Sequence, residues 1–327
     1  MKKLTILFVA CLCMVWACDS EETGYTFDAS LVKPAADFTD SRDGKVYSCV
    51  QIGEQVWMTE NLSYLLPQGT LDGCFTWNGE TFDASDVDYP VDAWVELMES
   101  TLNDPSYDWS SMGVPVAQIR MFINMVKNGS ATTSMVNGVL EQNVPAFYEV
   151  VKDGLEGLKD SAIAQMALEN FQEAEAKNGN YSKTYGLLYS YEAAQKAVPE
   201  GWRLPTDDDW KKLEETLGMS RQEIDKLNEW RGAGAGTLLK EEGVTGFNAR
   251  MAGGDVYYAS NISPKFLRCG ESCYFWTSTK TKQNDSIDLA VIRSLAVYSD
   301  AVWRGTSRID NGKRDMHYSV RCVKDVQ

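Results

Sequence analysis

Apolar residues recur along this chain with several different spacings, and each spacing predicts a different kind of element. Residues 4–16 form an apolar-rich run behind Lys2 and Lys3. That run is too short to span a bilayer comfortably and has the charge order of a secretory signal. From Phe38 onward the spacing becomes strand-like. Val46, Cys49, Val50 and Ile52 precede a turn at Gly53-Glu-Gln55, and Val56-Trp57-Met58 begins a second strand, which predicts a β-hairpin. Residues 73–77 predict one more short strand. Residues 80–182 carry helical spacing, with helices predicted over 91–102, 116–126 and 144–177. Gly154 and Gly157 are expected to bend or break the last of these, each costing about 1 kcal/mol against Ala. The Met and Phe stripes of this region read as the core of a small helical bundle. Further helices are predicted over 206–217 and 220–230, with a loop at 232–236. Strands are predicted at 247–253, 274–278, 287–292, 296–303 and 318–323.

The most specific local pattern is Gly201-Trp-Arg-Leu-Pro-Thr-Asp-Asp-Asp-Trp210. Pro205 holds Leu204 extended, and Thr206 is an N-cap whose hydroxyl accepts from the Asp209 amide. Asp207, Asp208 and Asp209 fall in the first turn, where the helix dipole favours negative charge. Trp210, Leu213 and Leu217 share one face. Ser220 repeats the device, with Glu223 at the capping-box position.

A chain of 327 residues with net charge −16 is long enough for one large core or two smaller ones. That charge argues against nucleic acid and anionic membrane surfaces as partners. His317 is the single histidine, which disfavours histidine catalysis and a histidine-rich metal site. Of the eight cysteines, Cys11 and Cys13 lie in the signal. Cys49, Cys74, Cys269, Cys273 and Cys322 are the disulfide candidates of an exported chain. Cys269 and Cys273 have the spacing of a small closed loop; Cys49 and Cys74 both stay open as partners of Cys322, and one thiol is left over.

Met14-Val-Trp-Ala-Cys18 resembles a bacterial lipobox, with the polar Asp19-Ser-Glu-Glu22 following at once. The resemblance implies diacylglycerol on Cys18 and a cell-envelope protein anchored through lipid, at the outer membrane or cell surface or on the periplasmic face of the inner membrane. A second resemblance rests on several blocks: Asp43-Gly-Lys-Val-Tyr47, Val50 to Leu62 with its Ile-Gly-Glu-Gln-Val-Trp-Met-Thr-Glu-Asn-Leu ending, Tyr185-Gly-Leu-Leu-Tyr189, the 201–210 segment, Gly246-Phe-Asn-Ala249, Phe275-Trp-Thr-Ser-Thr279 and Ser319-Val-Arg-Cys-Val323. Together they resemble the Fibrobacter succinogenes major paralogous domain family. The resemblance implies an α+β fold of the C-type lectin-like kind, a twisted antiparallel sheet with flanking helices. Formylglycine-generating enzymes share that fold and a similar Arg-Leu-Pro-Thr segment. The expected organisation is a signal peptide at 1–18, a tether at 19–37, a discontinuous domain over 38–79 and 184–327, and a helical insertion over 80–183. The insertion stands where family members carry a compact, often cysteine-containing connection, and Val198 stands where they carry a second cysteine.

Catalytic motifs are missing. No Gly-x-Ser-x-Gly, phosphate-binding glycine loop or His-Glu-x-x-His occurs. Asp207, Asp208 and Asp209 read better as capping residues than as calcium ligands, because consecutive helical positions point around the axis. No metal, cofactor or catalytic residue is expected. Trp57, Trp202, Arg203, Leu204, Pro205, Thr206, Trp210, Phe275 and Trp276 are assigned to folding. Tyr257, Tyr258, Tyr298 and Trp303 are assigned to a ligand surface, because aromatic faces stack on sugars. The expected role is a non-catalytic binding or scaffolding lipoprotein for a glycan, a cell-wall polymer or a protein. Its rivals are an enzyme related to formylglycine-generating oxidases and a structural module whose helical insertion docks a partner subunit.

Overall fold

The computed structural model describes residues 27–66, 73–79, 87–255, 266–285, 287–309 and 316–326. Cys18, Tyr257 and Tyr258 lie outside them. Strand β1 (Val32–Thr39) pairs antiparallel with β2 (Val46–Ile52), and β2 pairs with β3 (Gln55–Met58) through a turn in which Gly53 takes φ of +60°. β1 thus begins inside the segment read as tether. Short β4 (Cys74–Phe75) follows.

Four helices come next: α1 (Val91–Leu102), α2 (Val116–Lys127), α3 (Thr133–Asn143) and α4 (Pro145–Lys177). They share a core built on Trp94, Met98, Ile119, Ile123, Leu140, Phe147 and Val151. The expected break in α4 does not occur. At Gly154 a Cβ would lie 2.9 Å from Leu97 Cδ1, so glycine lets α1 and α4 approach, and packing on both sides outweighs its poor helix propensity. The far end of α4 buries Ala174 and Glu175, and the Glu175 carboxylate accepts hydrogen bonds from the Thr76 and Ser182 hydroxyls. One helix therefore ties the bundle to the sheets.

The chain continues through α5 (Tyr181–Tyr185), β5 (Leu188–Tyr189), α6 (Tyr191–Ala197), α7 (Asp207–Thr216) and α8 (Arg221–Ile224). The helix expected to reach residue 230 stops early. Asn228 takes the left-handed φ of +63°, and β6 (Glu229–Arg231) joins a sheet instead. The glycine-rich loop leads directly into α9 (Ala235–Leu239). There the close approach of Gly236 to the Ala301 carbonyl leaves no room for a Cβ. Then come β7 (Gly254–Asp255), β8 (Phe266–Leu267), β9 (Ser272–Asn284), β10 (Ile287–Ala296), β11 (Val302–Ile309) and β12 (Val323–Asp325). Residues 296–303, read as one strand, contain a turn before β11.

Two four-stranded antiparallel sheets result, in the orders β1-β2-β3-β12 and β6-β11-β10-β9. β12 pairs with β3 in the register Val323 with Trp57, so the start and end of the chain's described part close one sheet. One core holds Tyr47, Met58, Tyr189, Trp276 and Cys322; the other holds Trp57, Trp210, Phe247, Phe275 and Cys273. The protein is thus α+β with open antiparallel sheets.

The disulfide expectation is corrected: Cys49, Cys74, Cys269, Cys273 and Cys322 are all free thiols. Cys49 lies opposite Met58 in the β2–β3 ladder, and Met58 donates its amide to the Cys322 carbonyl. Two strand spacings, roughly 9.5 Å, separate Cys49 from Cys322, beyond the reach of a disulfide. Cys273 is fully buried in one core, whereas Cys269 packs at the edge of another cluster with Phe75 and Tyr181. Among the described residues no helix is long and apolar enough to cross a membrane.

Candidate functional site

The 201–210 segment is built around charge. Thr206 and Asp209 cap α7 reciprocally, with Asp209 N donating to Thr206 Oγ1 at 3.0 Å and Thr206 N donating to Asp209 Oδ2 at 2.9 Å. Arg203 donates to Asp209 and Asp325, both at 2.7 Å, and exchanges main-chain hydrogen bonds with Val323. Asp207 turns inward. It accepts from Arg304 at 2.6 Å and Arg293 at 2.8 Å. Burial opposes its ionisation, but the two guanidinium groups outweigh burial and hold the carboxyl well below the usual range. Fully buried Glu214 bridges Arg293 at 2.7 Å and Arg231 at 2.9 Å. Asp208 alone of the three faces solvent. Asp207 and Glu214 share Arg293, and Asp209 pairs with Arg203, so these carboxylates are taken up by partners within the fold.

The aromatic residues assigned to folding occupy the interior. Trp57, Trp210 and Phe247 form a triangle with ring separations of 5.3, 5.5 and 5.6 Å, and Phe275 lies 5.5 Å from Trp210. Trp276 donates its indole N–H to the Tyr189 carbonyl at 2.7 Å. Trp202 packs edge-on against Phe38, with Lys324 Nζ 4.7 Å above its ring. Leu204 is buried, and the Pro205 carbonyl accepts from Ser278 N at 2.8 Å. Behind them Arg321 is fully buried, with no carboxylate paired to it among the described residues. Its guanidinium donates to Asn61 Oδ1 and to the carbonyls of Met58 and Phe247, and lies 4.5 Å above the Phe247 ring. Burial pushes its pKa down to about 9, so it keeps its charge at neutral pH. Sequence reasoning missed Arg231, Arg293, Arg304 and Arg321 because their carboxylate and carbonyl partners are distant in the chain.

At the outer edge of the β6-β11-β10-β9 sheet lies a second aromatic group, made of two half-buried tryptophans and an exposed tyrosine. Trp303 lies opposite Trp230 in the β11–β6 ladder, with ring centroids 5.8 Å apart. Tyr298, 65% exposed in the β10–β11 turn, is 6.0 Å from Trp230. Trp303 lies over Gly305 two residues on, where any Cβ would collide with its indole. Arg268 reaches the Tyr298 hydroxyl at 3.5 Å, exposed Glu229 and Asp300 are near in the chain to these rings, and the Glu271 carbonyl accepts from Val297 N next to Tyr298. Of the four ring residues assigned to a ligand surface, Tyr298 and Trp303 are brought together; Tyr257 and Tyr258 lie outside the described residues. Trp230 was missed because the pattern placed it at the end of a helix. The signal was its place between charged Glu229 and Arg231, the polar–apolar–polar alternation of a strand.

No curated protein and no solved structure matches this chain. The model of the Fibrobacter succinogenes major domain matches residues 141–324. The match takes in the end of α3, all of α4, the capped 201–210 segment and both strands that hold Trp230 and Trp303. With more than half of its length in that match, the chain belongs to the Fibrobacter succinogenes major domain family.

Proposed function

We propose that this protein is a lipid-anchored envelope protein that binds an uncharged glycan or cell-wall polymer through Trp230, Tyr298 and Trp303. On this reading the discontinuous domain over 38–79 and 184–327 is a C-type lectin-like variant carrying the helical insertion at 80–183, and the aromatic surface works by contact, not by chemistry. The observation that carries the reading is the half-buried indole pair on a paired strand edge, with exposed Tyr298 beside it. Aromatic rings presented on a rigid sheet offer apolar faces to sugar C–H groups with little ordering cost. A net charge of −16, with exposed Glu229 and Asp300 close in sequence to Trp230, Tyr298 and Trp303, disfavours an anionic ligand.

Binding to a glycan array and to insoluble cell-wall polysaccharide tests the reading. Trp303→Ala and Trp230→Ala are expected to reduce binding at least tenfold, equivalent to roughly 1.4 kcal/mol; retention of the full signal in both variants sinks it. The anchor is tested separately by fatty-acid labelling of cells, with label expected on the wild-type chain and absent from Cys18→Ala. A second reading, docking of a partner through the insertion, is favoured by the exposure of Met121, Met135 and Met166 on three of its helices.

A further inference from the structure

On the β1-β2-β3-β12 sheet, the start of β2 and the segment after β3 bring an amine, a hydroxyl and a phenol together. Lys45 Nζ lies 2.6 Å from Ser63 Oγ. The Tyr47 hydroxyl lies 3.3 Å from the same Oγ and accepts from the Ser63 amide at 3.1 Å. The backbone leading into Ser63 is held firmly: Leu62 N donates to the Val320 carbonyl, Asn61 Nδ2 donates to the Tyr185 carbonyl, and Asn61 Oδ1 accepts from Arg321. Two contacts orient the lysine. Its ammonium sits 4.7 Å above the Tyr47 ring and 3.7 Å from the Glu60 carboxylate. Lys45 and Ser63 are each half-buried, so both keep some contact with solvent.

The electrostatics suit proton transfer. Burial pushes the Lys45 amine below the usual lysine range; Glu60 and Asp43 pull it back up, and Arg250 adds to the lowering. The Tyr47 phenol is pushed up to about 12 by burial, so it stays protonated and can donate to Ser63 Oγ. As an ammonium Lys45 donates to Ser63 Oγ; once it has lost a proton, the Ser63 hydroxyl hydrogen can point back to the amine.

We propose that Ser63 is a nucleophile and Lys45 its general base, and that the pair takes an acyl group from a carboxylic ester or thioester. As Ser63 Oγ bonds to the acyl carbon, its proton passes to Lys45 Nζ. The bond from that carbon to the leaving oxygen or sulfur breaks, and the Lys45 ammonium returns the proton to the departing alcohol or thiol. The products are an acyl-serine and a free alcohol or thiol, with no change of oxidation state. Water then attacks the acyl-serine, gives its proton through Lys45 to Ser63 Oγ, and releases the carboxylic acid. Tyr47 and Glu60 are positioning residues. This site is separate from the aromatic surface and does not rest on glycan binding.

The test treats the full chain with a fluorophosphonate and with p-nitrophenyl acetate, reading the adduct by peptide mass mapping and the rate by nitrophenol release. A single adduct on Ser63 is expected, and Ser63→Ala is expected to abolish it. Lys45→Met and Lys45→Arg should each slow acylation by about 100-fold or more, the range of general-base catalysis. Lys45→Arg keeps the charge beside Glu60 and so would rescue a lysine that served only the fold. Labelling spread over other residues, labelling unchanged in Ser63→Ala, or a full rate in Lys45→Arg overturns the proposal.

Discussion

Replacing Glu214 with Gln is the sharpest probe of the buried charge network. Glu214 has no solvent exposure and sits between Arg231 and Arg293, which have none either. Contacts at 2.7 and 2.9 Å correspond to roughly 6 kcal/mol of attraction each at an effective dielectric near 20. Desolvation of the three ions offsets most of that gain. Removing one charge while leaving the others in place is costlier than removing the whole group, because the surviving guanidinium groups stay buried with less compensation. Glu214→Gln preserves volume, so no cavity term enters, and the expected loss is about 3–5 kcal/mol. Against a total stability on the order of 5–15 kcal/mol this is large. Urea unfolding followed by tryptophan fluorescence should show a midpoint lower by about 1 M or more with little change in slope. Adding Arg231→Met should recover part of the loss, because it removes the stranded cation. A single-variant loss below about 1 kcal/mol would refute the reasoning, since it would mean that water or relaxation compensates the network.

Three further outcomes are expected. The folded-state pKa of Asp207 lies below its unfolded value near 3.9, so its pairing with Arg304 and Arg293 stabilises fully above about pH 4 and fades as pH falls towards the folded pKa; urea midpoints measured from pH 6 down to pH 2 should fall, with a shallower acid slope in Asp207→Asn. Gly305→Ala should displace the Trp303 indole and cut glycan binding at least tenfold, with a smaller loss of stability than Glu214→Gln, on the order of 1–3 kcal/mol; isothermal titration beside urea unfolding separates the two effects. In denaturant without reductant, Cys49, Cys74, Cys269, Cys273 and Cys322 should all be alkylated by iodoacetamide; a peptide mass showing any two of them joined would contradict the free thiols, and one joining Cys49 to Cys322 would contradict the strand geometry as well.

Local patterns carried much of the architecture. The hairpin, the helices at 91–102, 116–127 and 145–177, and the cap at Thr206 follow from spacing and from side chains that satisfy nearby backbone groups. Such interactions span a few residues, so the chain alone determines them, and the family blocks reflect the same short-range grammar. The tertiary structure decided what depends on distant partners. It turned residues 229–231 from helix into strand because β11 offered hydrogen bonds and Asn228 allowed the left-handed break. It kept α4 whole across Gly154 by packing Leu97 against it, and left the cysteines unpaired by placing β3 between two of them. It also set Trp230 beside Trp303 and Lys45 beside Ser63. Trp230 and Trp303 are far apart in sequence, and Lys45 and Ser63 flank the β2–β3 hairpin; burial of the two sheet cores makes such approaches favourable enough to offset the lost chain entropy.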